Sequence, residues 1–410
     1  MSVPSIFEQT FASFRIRNFR LYFFGQGLSL CGTWAQTIAL AWLVLQLTHS
    51  GTQLGLVLAA QFLPILFFGV WGGVITDRFN KRHILYCTQI AQALLALALG
   101  LLVVTHHIHL WMVYALAASL GFTQVLDNPT RQTFIFEMVG SKYLQNAVSL
   151  NSTMVNAARI VGPSIAGVLI ATVGVGPCFL VNAASFVAVL LALFAMRASE
   201  LHTVPPVPRE KGQIRAGFSY VWSVPVLRAT LVMMFIIGTF AYEFPVVMPL
   251  FATRTLHGNA TTYSAMTVAM AIGAISGGLY TASRSLAKTV ALTRAALLFG
   301  VSLLVMALMP NLVTTFIVLV LVGGLSILFI SLGNSTLQLT SEPHMRGRVM
   351  ALWSIAFLGT TPIGGPIIGA IADHSNPRIG LAVGGASAIL AAGLGMAIGK
   401  QYTPTKLSAS

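Results

Sequence analysis

Glu243 is the residue in this sequence best placed to do chemistry. It stands alone in the apolar run 227–252, between Tyr242 and Phe244 and ahead of Pro245 and Pro249. A charged side chain at the centre of a membrane helix costs roughly 2.5–3.5 kcal/mol on insertion scales, so its retention there calls for a reason. A carboxyl can carry a proton or face a cationic cargo. The plainer reading is a structural acid hydrogen-bonded to a neighbouring helix. Two other charges interrupt apolar runs: Asp127, in Asp127-Asn128-Pro129-Thr130-Arg131, and Arg159, just before Gly162-Pro163. A buried arginine needs a partner. Asp127, or a carbonyl freed at the Pro129 kink, is expected to supply it, more as a structural or gating pair than as a cargo contact. Glu243, Asp127 and Arg159 are the candidates for proton coupling.

Softer polar residues recur near helical spacing: Gln26, Ser29, Thr33, Gln36 and Thr37 in one run, and Asn334, Ser335 and Gln338 in another. Such stripes line a cavity or join helices. Gln26, Thr33, Gln36, Tyr242, Glu243, Asn334 and Gln338 are the cavity and substrate candidates, with Trp34, Phe62 and Phe244 as apolar lining. A wide, mostly apolar pocket suits a bulky, amphipathic or aromatic cargo better than a sugar.

The elements that must position these residues are membrane helices. The 410-residue chain is 56% hydrophobic and only 8% charged, unlike a soluble protein of this length. Twelve runs are long enough to span: 20–46, 53–75, 84–105, 109–130, 146–172, 177–197, 227–252, 262–283, 289–309, 312–338, 349–372 and 379–399. Placing the N-terminus inside puts twenty of the 23 Lys and Arg on the cytoplasmic side, leaving Arg254 and Arg378 outside and Arg159 within a span. That asymmetry orients both termini to the cytoplasm. The net charge of +14 clusters between spans rather than along one face, which argues against nucleic acid.

Residues 1–19, with Phe7, Phe11 and Phe14 ahead of Arg15 and Arg17, read as an amphipathic cytoplasmic segment. The first six spans occupy 20–197 and the last six 227–400. Between them 198–226 is a cytoplasmic linker carrying Pro205, Pro206, Pro208, Arg209, Glu210 and Lys211, with Gly217–Trp222 expected along the membrane surface; 401–410 is a cytoplasmic tail. Gly162-Pro163 in span 5 is echoed by Gly365-Pro366 in span 11, so the chain is read as two six-helix pseudo-repeats. These Gly-Pro pairs are expected to kink their helices.

Enzyme chemistry finds no footing. There is no Gly-x-x-x-x-Gly-Lys-Ser/Thr phosphate loop, His-Glu-x-x-His run or nucleophile elbow. His106, His107 and His109 share a loop with spacing that could hold a metal, but a solvated loop is the reading adopted. Cys31, Cys87 and Cys178 lie singly in apolar runs as packing residues. No catalytic residue, metal or cofactor is expected.

Between spans 2 and 3 lies Gly72-Gly73-Val74-Ile75-Thr76-Asp77-Arg78-Phe79-Asn80-Lys81-Arg82. The set Gly73, Asp77, Arg78, Lys81 and Arg82 resembles the signature loop of the major facilitator superfamily of secondary transporters. The resemblance implies an all-α membrane fold of twelve transmembrane helices in two halves around a central cavity, lined by spans 1, 4, 7 and 10. It also implies a gating role, in which Asp77 faces the positive N-terminal end of span 11. A purely topological role for the loop is the alternative. Gly162-Pro163 resembles the superfamily's antiporter motif, although Ala158 and Met154 stand where further glycines are usual. Span 4 lacks the arginine common in proton-coupled drug carriers. Phe19-Arg20-Leu21-Tyr22-Phe23-Phe24-Gly25-Gln26, Gly32-Thr33-Trp34, Ala41-Trp42-Leu43, Asp127-Asn128-Pro129 and Asn146-Ala147-Val148-Ser149-Leu150 look like the branch of enterobactin-exporter-like and macrolide-efflux-like carriers. That implies a monomeric, proton-driven exporter of a drug-like or siderophore-like small molecule in a bacterial inner membrane. The competing readings are a proton-coupled importer on the same scaffold and a non-transporting receptor.

Overall fold

The computed structural model describes residues 11–202, 213–282, 289–342 and 345–399. These residues are helical, with no strand among them. Hydrocarbon offers no water to unpaired backbone groups, and a helix pairs them within its own segment. The membrane helices are α1 Arg17–Thr48, α2 Gly51–Arg78, α3 Lys81–Val104, α4 and α5 within Leu110–Val173, and α6 Gly176–Ala195. The second series is α7 Pro225–Phe240 continued by Phe244–Leu250, α8 Ala260–Ala282, α9 Thr289–Leu308 and α10 Leu312–Thr340. It ends with α11, Arg346–Leu358 continued by Thr361–His374, and α12 Pro377–Gly399.

Eleven helices among the described residues are long and apolar enough to cross a bilayer. One of these is the 64-residue Leu110–Val173, which Gly140 divides at φ 65°, ψ −179° into 110–139 and 141–173, giving twelve passes. Only glycine enters that backbone region readily.

The breaks fall where backbone donors are missing. Spans 7 and 11 are each read as one apolar run, yet α7 is interrupted at 241–243 and α11 at 359–360. Pro245 has no N–H for the carbonyl of Ala241, and Pro362 none for that of Leu358. Gly162-Pro163 and Gly365-Pro366, the expected kinks, lie inside helices, and Leu110–Val173 leaves helical dihedrals only at Gly140.

Residues 1–10 lie outside the described set, and the part of the N-terminal segment that follows is not an interfacial helix. It is a short 3₁₀ turn, Ala12–Arg15, with α1 starting at Arg17. Phe11 and Phe14 pack on a buried cluster that includes Phe19, Tyr22, Phe134, Met138 and Leu193. Ser13 donates its backbone N–H to Asn146 Oδ1 at 2.9 Å. The linker prolines 205, 206 and 208, with Arg209, Glu210 and Lys211, lie outside the described residues, as do Lys400 and the tail 401–410. After the linker, helix Gln213–Ser223 carries an exposed Phe218–Trp222 stack at 5.0 Å.

The chain forms two compact units. The first comprises Met1–His49, Ala60–Pro208 and Asn259–Val268. In it α1 packs on α6 and on the Leu110–Val173 helix, and α3 on α6. The second comprises Ser50–Ala59, Arg209–Gly258 and Ala269–Ser410. In it α9 packs on α12 and α10, and α7 on α12. The first turns of α2 and of α8 are thus built into the unit that does not hold the rest of the helix.

Candidate functional site

Glu243 sits in the gap of α7. Ala241 and Tyr242 close the first helical segment by donating to the carbonyl of Ile237, at 2.8 and 3.2 Å. The carbonyl of Glu243 opens the next segment by accepting from Val246 and Val247, both at 3.0 Å. The side chain is 2% exposed. It lies on the Gly364-Gly365 step of α11: a Cβ on Gly364 would come within 2.9 Å of Oε1, and one on Gly365 within 3.3 Å of Oε2. Only a bare helix surface admits the carboxyl this closely. Thr361, one turn earlier, is its hydrogen-bonding neighbour, while Oε1 has no hydrogen-bond partner. A small pocket with room for about one water opens beside it, lined in part by Phe240, Val247, Leu303 and Leu381.

An aromatic cluster forms around the neighbouring Tyr242. Tyr242 lies 5.4 Å from Phe299 and 5.4 Å from Phe357, and 6.1 Å from Phe244, by ring centroids. Its hydroxyl donates to the carbonyl of Ser326 on α10 at 2.7 Å. The arrangement is a buried carboxyl with a hydroxyl neighbour and one unpartnered oxygen, which can hold and release a proton without rebuilding a fixed ion pair.

Asp127 and Arg159 are not partners. Asp127, with no exposure, pairs with Arg131 one turn on and accepts from Thr88 Oγ1 at 2.7 Å and Gln89 Nε2 at 2.8 Å. The i, i+4 spacing on α4 puts the two ions on one face, a geometry that a more distant arginine cannot match. The Arg159 guanidinium lies over the Trp34 ring at 5.2 Å, with Nε buried and unpartnered. Gly162 packs directly below Trp34.

The soft polar residues divide. Gln36 accepts from Asn182 Nδ2 at 2.7 Å, which ties α1 to α6. Gln26 is 2% exposed, with Oε1 unpartnered. Thr33 donates to the carbonyl of Ser29 at 3.0 Å and is half-buried. Gln338 bonds Asn334 one turn back on α10 and is exposed.

The signature stretch is helical through Arg78, and only Phe79 and Asn80 link α2 to α3. Asn80 caps α3 by accepting from the His83 N–H at 3.3 Å. Lys81 pairs with Glu137 at 2.6 Å. Arg82 donates to the carbonyls of Leu193 at 2.6 Å and Met196 at 3.3 Å, closing the C-terminal end of α6. Asp77 is half-buried and Arg78 exposed, near Gly73. In the second half, a Gly277-Gly278 pair followed by Arg284 and Lys288 partly repeats this stretch without its acid; the glycines lie in α8, and Arg284 and Lys288 are outside the described residues.

Sequence reasoning missed one polar centre. Asp373, at the end of α11, accepts from Ser50 Oγ at 2.6 Å, and from the Gly51 and Thr52 N–H groups and Thr52 Oγ1, each at 2.8 Å. Arg254 pairs with it at 2.9 Å. The available signal was charge: Asp373 and Arg254 are an acid and a base at the expected outer ends of two spans.

Residues 8–406 match the family described as transmembrane secretion effector. A staphyloferrin A transporter of Staphylococcus aureus is 26% identical, covering 86% of this chain and 89% of its own. A multidrug efflux pump, Tap, of Mycolicibacterium fortuitum is 28% identical, covering 82% and 84%. The enterobactin exporter EntS of Escherichia coli is 25% identical, covering 88% and 86%. Among solved structures, a POT family transporter in complex with 5-aminolevulinic acid aligns with a TM-score of 0.76 at 11% identity, over 94% of this chain and 96% of that one. A bacterial homologue of the human lysosomal transporter Spinster aligns at 0.74 and 14% identity, over 96% and 99%.

Proposed function

Because this chain belongs to the transmembrane secretion effector family of the major facilitator superfamily, we propose that it exports a bulky amphipathic compound, drug-like or siderophore-like, against inward proton flow. The chain is a multi-pass membrane transporter and not an enzyme. The observation that carries the proton part is Glu243: a 2%-exposed carboxyl, unpartnered at Oε1, at the break of α7. A group with no fixed counter-ion can change protonation without leaving an opposite charge stranded. Its contact with Gly364-Gly365 would transmit that change to α11. The cargo part is supported by the aromatic shell of Tyr242, Phe244 and Phe357, and by relatives named for siderophores and drugs. Gln26, Thr33, Asn334 and Gln338 are proposed cargo contacts. Gln36, held by Asn182, is assigned to helix packing, and Arg159 to support of Trp34. Asp127, with three donors already in place, is assigned to the integrity of α3 and α4 rather than to proton transfer.

Lys81 and Arg82 are engaged by Glu137 and the end of α6. The gating role proposed for Asp77, with Gly73 and Arg78, rests on the resemblance of the whole stretch to the superfamily's signature loop. The setting proposed is the bacterial inner membrane, with both termini cytoplasmic and the protein a monomer. Import on the same scaffold is the second reading, separated by the direction of flux.

The test is proton movement in inverted membrane vesicles offered dyes, macrolides and catechol siderophores. Wild type is expected to release lumenal protons with at least one compound, Glu243→Gln to lose that release while still binding it, and well-expressed Asp77→Asn to slow it. Equal proton release by wild type and Glu243→Gln would remove Glu243 from coupling.

A further inference from the structure

We infer that Asp373 is a gating residue of the transport cycle, the releasable catch that fastens the first turn of α2 to α11. α2 is shared between two compact units: residues 50–59 are packed in the second and the rest of the helix, from Ala60, in the first. Alternating access rocks one bundle against the other. A helix divided in this way has to let go of one bundle, and the bonds at its shared end set how firmly it holds.

Those bonds converge on one carboxylate. The N–H groups of Gly51 and Thr52 are among the four that a helix N-terminus leaves without an intrahelical partner. Asp373 accepts both at 2.8 Å, as a capping residue would, but from another helix. The hydroxyls of Ser50 and Thr52 add bonds of 2.6 and 2.8 Å. Negative charge at this end of α2 is also favoured by the helix dipole. Arg254 bridges Asp373 at 2.9 Å and the carbonyl of Ala372 at 3.2 Å, holding the carboxylate at the rim, where its side chain keeps 16% exposure. Below it the contact is backbone on backbone, with Gly51 against Gly369 and Gly55 against Gly365. Such a seam carries no side chain of its own and offers no rotamer to interlock. The corresponding turn of α8 lacks this device: Thr261 donates to the carbonyl of Gly167 at 3.4 Å, and Ser264, packed on Gly167, has its hydroxyl unpartnered. The two shared helices are thus fastened unequally. The charged fastening can be exchanged for water at the rim, where a dry apolar one could not.

This inference rests on the transporter reading, but its test needs neither cargo nor proton, so failure of the coupling reading and failure of this one are separate results. Leu250 is 1% exposed and packs against Gly51, so departure of residues 50–59 is expected to uncover it. In protein with Cys31, Cys87 and Cys178 replaced by serine, Leu250→Cys is reacted in nanodiscs with a water-soluble maleimide. Asp373→Asn and, separately, Ser50→Ala with Thr52→Ala are expected to speed labelling on the order of tenfold, as the loss of charge-assisted bonds implies. Labelling of Ala388→Cys, buried in α12, should stay unchanged. Unchanged labelling at 250 in both variants would overturn the assignment. Equal acceleration at 250 and 388 would also overturn it, by showing general loosening instead of release.

Discussion

At the scale of single residues, three buried charges in similar apolar company have three different fates, and the difference is in their neighbours. Asp127 is satisfied on all sides by Arg131, Thr88 and Gln89. Arg159 rests on an aromatic face. Glu243 keeps an unpartnered oxygen. A satisfied ion pair is costly to break, because removing one partner leaves the other charge buried. Asp127→Ala is therefore expected to destabilise the first unit by about 3 kcal/mol, read as a lower midpoint in a thermal-shift assay. Glu243→Gln, which strands no counter-ion, should leave that midpoint nearly unmoved while abolishing proton release. The three charges are evident in the sequence as interruptions of apolar runs. Their partners are not, since Thr88 and Gln89 come from a different helix and an arginine four residues away competes with one thirty-two residues away.

At the scale of elements, the chain is punctuated by missing donors and by one glycine. Pro245 and Pro362 account for the gaps in α7 and α11, and the α7 gap is what turns Glu243 towards Gly364-Gly365. Gly140 makes the turn between α4 and α5 with φ 65°, ψ −179°, and the His202 ring lies where a Cβ would sit, 3.0 Å from Nε2. Gly140→Ala is expected to cost about 1–3 kcal/mol of stability, measured by thermal shift, with lower yield of folded protein. The sequence reads 131–145 as a polar loop between two spans, whereas the backbone stays helical through this stretch on both sides of the single turn at Gly140. Before α1, the described part of the expected amphipathic segment is a 3₁₀ turn whose Phe11 and Phe14 pack in part on a buried protein cluster.

At the scale of the whole molecule, the asymmetry of Lys and Arg predicts which face each loop occupies. A cysteine at exposed Phe79 should resist an impermeant maleimide in intact cells, whereas one at exposed His107 should react. The reverse pattern would invert the orientation and, with it, the direction assigned to transport. The division into two units adds what the repeat pattern does not contain. The first turns of α2 and α8 are exchanged between units, and Asp373 with Arg254 fastens one of them.

The sequence by itself determined that the chain crosses a membrane about twelve times, that it is built from two related halves, and that Glu243, Asp127 and Arg159 interrupt apolar runs. These follow from composition and spacing along one dimension, because bilayer thickness and the helical rise convert directly into residue counts. The tertiary structure alone decided which buried charge is paired, where α7 and α11 break relative to Glu243, and that a carboxylate at the end of α11 caps the beginning of α2. Those outcomes depend on side chains 38 to more than 300 residues apart meeting within about 3 Å, the range over which a hydrogen bond discriminates between one partner and another.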